Sequence, residues 1–300
     1  MTSSLRGNQA GLCVACWLTA ILSLAGDAYA RQAELTVHAP PGLETIAQRV
    51  RRMDLPPLER SLAASGLPMP ERITITLIAS DDPRAQRAPQ WIVGLAAGTS
   101  HIVIFPGRIG SYPPDSLETV VRHEIVHLAL NTRALGRPMP RWFHEGTAVT
   151  VASGWRTRDE MRLLLAALDP PSIADIGRLF RSDAYPDTAQ AYLLAAALVD
   201  HIRRHHGVAV AGTIAGHVAG GLRFDEAFQA ATGETVERAA ARAWQGHRTV
   251  AQWFLVITSP SAIWPVILAL AVVAFVLRVR RRRALRRRWE EENEEEDVEP

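Results

Sequence analysis

Residues 119–146 read TVVRHEIVHLALNTRALGRPMPRWFHEG. Within this stretch His123, Glu124 and His127 form an H-E-x-x-H motif, and the apolar residues around it predict an α-helix. Positions i and i+4 of a helix lie on one face about one turn apart, so both imidazoles can reach one metal ion. Glu124 is offset from that face and can contact a water beside the metal without binding the metal itself. The motif therefore predicts a zinc hydrolase.

A third metal ligand is expected further along the chain, because a catalytic zinc takes three protein ligands and the helix supplies two. Glu145 lies 18 positions after His127. One glycine and two prolines between them break the first helix and permit a second, so the chain turns back and Glu145 returns to the metal. His144 is the rival ligand. Consecutive helical residues point about 100° apart, so Glu145 and His144 cannot easily face the same ion.

The motif helix and the W-x-x-E-G segment at residues 142–146 together resemble the Glu-zincin metallopeptidases, in particular the bacterial peptidase MA-like domain family. Residues 190–192 (QAY) and 221–228 (GLRFDEAF) are also similar to that family. The resemblance covers roughly residues 72–244. It implies an enzyme that hydrolyses peptide bonds in a protein or peptide substrate.

The resemblance also implies a role for each site residue. His123, His127 and Glu145 would bind Zn²⁺, and Glu124 would act as the catalytic base. Tyr192 would donate its hydroxyl to the oxyanion formed on the attacked carbonyl. The alternative for Tyr192 is a core tyrosine whose hydroxyl is satisfied within the fold.

The pattern of predicted elements favours an α+β fold class. Strands come first and helices follow, which is typical of that class. The expectation is a zincin-like domain with a small N-terminal sheet and a helical C-terminal part. The predicted strands are residues 34–39 and 72–79 and a hairpin at 91–95 and 101–105, and the predicted early helices are 43–53 and 58–66.

The last strand before the motif helix, residues 100–105, carries a further expectation. In zincins this strand is often the sheet edge that pairs with an extended substrate, so an unpaired edge here would bind a peptide by strand addition. An interior strand is the open alternative.

The N-terminal segment, residues 1–30, has the pattern of a signal peptide. Arg6 supplies the positive charge, residues 11–25 the apolar stretch, and residues 28–30 (AYA) the cleavage pattern. An uncleaved membrane anchor is the alternative. Both cysteines, at positions 13 and 16, lie inside this segment. A cleaved protein therefore has no disulfide and no sulfur ligand for a metal.

A second apolar stretch, residues 253–277, predicts a transmembrane helix. The arginines that follow predict a cytoplasmic tail at residues 278–300 by the positive-inside rule. Residues 31–252 would then form an extracytoplasmic domain of a single-pass protein in the bacterial inner membrane. The acidic end, residues 290–299, is expected to be a solvated disordered tail. The alternatives are an extension of the helix through charge pairing with the arginines and a cytoplasmic partner for the tail.

Charge argues against a nucleic-acid partner. The formal net charge is +2, and much of the charge lies in two opposite runs near the C-terminus. No basic stripe is evident in the sequence of the expected folded region, which argues against a nucleic-acid surface. The expected function is that of a membrane-anchored zinc metallopeptidase acting on envelope or membrane-proximal proteins. The alternative is a catalytically inactive zincin-fold module that binds envelope proteins.

Overall fold

The computed structural model describes residues 33–110, 116–152, 171–182, 184–245 and 260–296. The chain divides into two compact units, Met1–Arg137 and Pro138–Pro300. The first contains the sheet and the motif helix, and the second is built from helices.

The first unit is organised around a small mixed sheet. Its strands are β1 (Glu34–His38), β2 (Arg72–Leu77), β3 (Gly94–Ala97) and β4 (His101–Ile104). Their order is β1-β2-β4-β3, with β3 antiparallel to β4 and the other pairs parallel. Side chains of a strand point alternately to its two faces, and every second side chain of β2 is buried in the core. The predicted strands at residues 34–39 and 72–79 are confirmed, and the hairpin is present with β3 starting at Gly94.

The position of β4 answers the question left open about the sheet edge. β4 lies between β2 and β3, so residues 101–104 form an interior strand. The expectation that residues 100–105 are the edge is wrong. The physical reason is the hairpin, since it folds β3 onto the outer side of β4 and makes β3, with β1, an edge strand of the described sheet.

The described part of the first unit also contains helices α1 (Glu44–Arg51), α2 (Pro56–Ala64), α3 (Pro83–Arg87) and α4 (Leu117–Arg133), and a 3-10 turn at Pro106–Arg108. The motif helix is α4, which contacts β3 and β4. It starts at Ser116, whose side-chain oxygen accepts a hydrogen bond from the Thr119 N–H at 3.2 Å. It stops where Gly136 adopts a φ of +70° and donates its N–H to the Asn131 carbonyl at 2.8 Å.

The second unit contains α5 (Arg141–Ala152), α6 (Ile173–Leu179), α7 (Tyr185–His206), α8 (Val210–Ala219), α9 (Phe224–Thr232), a helical segment at residues 236–245, and α10 (Pro260–Glu296). Helices α5 and α7 pack against each other. Gly146 permits their close approach, because a Cβ there would collide with the Ala195 carbonyl and the Val199 side chain. A glycine beside the expected ligand Glu145 therefore has a packing role.

The fold-class prediction, an α+β domain with a transmembrane helix at residues 253–277, is wrong. Within the part of the chain that the structure describes, no helix is both long and apolar enough to cross a membrane. The continuous apolar run at residues 263–277 has 15 residues. As a helix it rises about 22 Å, less than the hydrocarbon thickness of about 30 Å. The described chain is mostly helical, with a small four-stranded mixed sheet.

Residues 290–296, expected to belong to a disordered tail, are helical, because α10 continues through the arginines to Glu296. Other terminal predictions fall outside the described residues. The predicted signal peptide, residues 1–30, and the cysteines within it lie there, as do residues 253–259 and 297–300. The signal peptide and the extracytoplasmic placement of residues 31–252 stay predictions.

Candidate metal site

The H-E-x-x-H motif lies in the middle of α4, where the helix is buried. His123 and Glu124 are each 6% exposed. The Nε2 atoms of His123 and His127 are 3.1 Å apart, and their rings meet edge to face with centroids separated by 4.8 Å. The i, i+4 spacing has therefore brought two imidazole nitrogens to one place, as the sequence predicts.

The third expected ligand, Glu145, lies in the first turns of α5. Its side chain is 12% exposed. One ligand atom each from His123, His127 and Glu145 can be chosen so that all three lie within 4.8 Å of one another. This group contains Glu145 and not the rival ligand His144. Glu145 is the ligand that the sequence analysis favours.

The donor set fits a zinc ion. Two Zn–N bonds of about 2.0–2.1 Å in a tetrahedral arrangement place the nitrogens roughly 3.3 Å apart, close to the observed 3.1 Å. Two imidazoles and one carboxylate form a common catalytic zinc set. The same donors also bind other divalent first-row metals, so the choice of zinc is a proposal.

Arg141 holds the Glu145 carboxylate and is itself anchored. Its Nε donates a hydrogen bond to Glu145 Oε1 at 3.4 Å, and its Nη1 donates to the Phe180 carbonyl at 2.8 Å. The guanidinium also lies over the Phe180 ring, 4.8 Å from the centroid. Sequence reasoning missed this residue, although its place four positions before Glu145 on a helix is a readable signal.

Tyr192 lies on α7 and packs edge to face against Phe180, with ring centroids 5.4 Å apart. It is one helical turn before Ala195, whose carbonyl faces Gly146 of α5. Phe180 directly follows α6, and its carbonyl accepts the hydrogen bond from Arg141, so Tyr192 packs against the residue that anchors Arg141. Its predicted role in catalysis stays a prediction.

Gly94, the first residue of β3, lies directly against Glu124. An ideal Cβ on Gly94 would be 2.6 Å from Glu124 Oε1. The sequence carries no signal for this contact, because the two residues are 30 positions apart and meet only through the packing of β3 on α4.

The histidines near the end of α7 form a separate cluster in the second unit. His205 Nδ1 lies 2.9 Å from the His201 carbonyl, and His206 Nε2 lies 2.8 Å from Oε1 of the buried Glu234. Burial, with the nearby charges of His205 and Arg204, lowers the pKa of His201 to about 4. None of the three is in the candidate metal group.

No model of a known protein family matches the chain, and no curated protein matches it in sequence. The resemblance to the Glu-zincins therefore depends on the motifs and on the arrangement of the residues that carry them.

Proposed function

We propose that this protein is a zinc-dependent metallopeptidase of the Glu-zincin type. The observation that carries the proposal is the grouping of His123, His127 and Glu145, whose ligand atoms lie within 4.8 Å of one another. The buried Glu124 is next to this group in sequence, in the position of a catalytic base.

His123, His127 and Glu145 would hold the ion. Bound there, zinc would supply positive charge that polarises the substrate carbonyl and makes a water more acidic. Glu124 would accept the proton of the attacking water and then deliver it to the leaving nitrogen. Arg141 would keep the Glu145 carboxylate oriented through the hydrogen bond at 3.4 Å. Tyr192 would stabilise the developing oxyanion.

Strand β3 is the better candidate for the peptide-binding edge. It has a strand neighbour on one side only in the described sheet, whereas β4 has neighbours on both sides. Its first residue lies against Glu124. An extended peptide that adds to the outer side of β3 would therefore pass close to the proposed base.

Cleavage of a mixed library of internally quenched peptides tests the proposal. The wild-type chain and Glu124→Gln would be loaded with zinc, and metal content would be measured in both. We expect cleavage by the wild type and a loss of at least a hundredfold in Glu124→Gln at equal zinc content. Equal cleavage by both proteins would contradict the proposed role of Glu124 and point to a contaminating protease.

One observation favours the alternative of an inactive zincin-fold module that binds proteins. Arg141 pairs with Glu145, and this ion pair offsets the charge that a metal would otherwise use. Two measurements distinguish the functions. An inactive module of this kind folds without zinc, and it still binds its protein partner when Glu124 is changed.

A further inference from the structure

The contact between Gly94 and Glu124 leaves no space for a side chain on β3. An ideal Cβ on Gly94 would lie 2.6 Å from Oε1, 2.9 Å from Cγ and 3.0 Å from Cδ of Glu124. Favourable contacts between carbon atoms need about 3.5–4.0 Å. Gly94 is not among the residues with positive φ, so its backbone is open to any L residue. Glu124, and not backbone strain, is therefore what excludes a side chain.

Rotation of the end of the Glu124 side chain cannot remove the collision. Cγ is placed by χ1 alone, so turning χ2 and χ3 moves the carboxylate but leaves the 2.9 Å contact in place. On a helix, χ1 is restricted essentially to two rotamers, because the third runs into the preceding turn. Glu124 is also only 6% exposed, so solvent does not offer it another position.

Strand β3 is held in place at both ends and cannot easily retreat from α4. Before the strand, the Val93 carbonyl accepts a hydrogen bond from the Phe105 N–H at 2.9 Å. After it, the Gly98 carbonyl accepts a hydrogen bond from Asn131 Nδ2 at 2.8 Å. Asn131 belongs to the same helix as Glu124, seven residues further on. The far end of β3, away from Glu124, is thus hydrogen-bonded to the motif helix.

We propose that Gly94 is a positioning residue that sets where the carboxylate of Glu124 lies. By having no side chain, it lets Glu124 occupy the space directly beneath the start of β3, and β3 in turn blocks the carboxylate from moving outward. This inference rests on the proposed function, since the position of Glu124 matters for peptide hydrolysis only if Glu124 is the base. The contact itself can be tested without any metal or substrate.

The first experiment is a double-mutant cycle on the metal-free full chain, read by thermal unfolding. Gly94→Ala is expected to lower Tm by about 2–5 °C when Glu124 is present. In the Glu124→Ala background, where Cγ, Cδ and the carboxylate are gone, the same change should alter Tm by less than about 1 °C. Gly177→Ala is the matched control, because its Cβ would meet only Arg181 Nη1 at 3.6 Å and should not lower Tm. An equal loss of Tm in both backgrounds, or none in either, would overturn the proposal.

The second experiment measures peptide cleavage by zinc-loaded wild type and Gly94→Ala. Displacing the base should lower kcat by about a hundredfold while KM and zinc content stay unchanged. Coupled stability with an unchanged kcat would overturn the positioning role. If the wild type neither binds zinc nor cleaves peptides, the proposed function fails, whereas the stability cycle still decides whether Glu124 excludes a side chain at position 94.

Discussion

Arg141 has two opposing effects on the affinity of the candidate site for a metal ion. It orients the Glu145 carboxylate through the bond at 3.4 Å, and it also neutralises part of the charge that would attract a metal. Because Arg141 is fixed by the Phe180 carbonyl and ring, it acts as a rigid support. Supports of this kind keep a ligand in a single orientation.

Arg141→Ala is therefore expected to weaken zinc affinity by about 10- to 100-fold. Competition with a fluorescent zinc chelator measures this directly. Arg178→Ala is the control, because Arg178 forms an exposed pair with Asp175 on another helix and should leave the affinity unchanged. A higher affinity in Arg141→Ala would mean that the arginine competes with the metal, and it would favour the inactive binding module.

His201 predicts a dependence of stability on pH. Its pKa is lowered to about 4, chiefly by burial, against about 6.5 in the unfolded chain. Between these values the unfolded state binds a proton that the folded state does not. The stability contributed by neutral His201 is therefore lost as pH falls from about 6.5 towards 4.

Replacing His201 by Asn should reduce the drop in Tm of the metal-free protein between about pH 7 and pH 5. Metal is omitted so that release of zinc from its ligands does not contribute. A drop in Tm as large as that of the wild type would show that His201 is not the group responsible.

The packing of helix α5 on helix α7 depends on Gly146. A methyl group there would collide with the Ala195 carbonyl and Val199. Gly146→Ala should lower the free energy of unfolding by about 1–3 kcal/mol, measured by urea denaturation. Gly177→Ala places the same methyl group on α6, where it would meet only Arg181 Nη1 at 3.6 Å, and should raise the free energy of unfolding by up to about 1 kcal/mol. The packing account is contradicted if both variants shift stability equally and in the same direction.

Local signals predicted the motif helix well. Its apolar run and the break at Gly136 lie within or beside the element, as does Ser116, which the structure places at the cap. The strand order was not predictable in this way, because neither hydrophobic alternation nor chain position says which neighbour a strand pairs with. The transmembrane prediction failed because apolar composition was extended beyond the 15-residue run at residues 263–277.

In the candidate site, too, residues related by local sequence spacing were predictable and residues brought together by tertiary packing were not. His123, Glu124 and His127 are readable because the helix repeat alone relates them. Glu145 required the further step of a chain reversal. Arg141 was readable from its spacing but was missed. Gly94 lies in a different element, and only tertiary packing brings it to Glu124, so no reading of the sequence could have found it.

Zinc bound at the proposed site should stabilise the folded chain as a whole. A ligand at about 100 times its Kd adds roughly 2.7 kcal/mol, which corresponds to an increase in Tm of about 4 °C for a protein of 300 residues. Chelation with 1,10-phenanthroline should therefore lower the Tm of the zinc-loaded wild type by that amount. Glu145→Ala should respond much less. An identical Tm with and without chelator would argue against a metal bound to the folded state.

The most direct test is the zinc content of the purified, folded chain, measured by elemental analysis for the wild type and Glu145→Ala. The proposed site predicts about one zinc per wild-type chain, and little or none in the variant, because two histidines alone leave the ion with too few protein ligands. A folded wild-type protein that takes up no zinc even when the ion is supplied would contradict the metallopeptidase proposal, and equal zinc in both proteins would remove Glu145 from the ligand set.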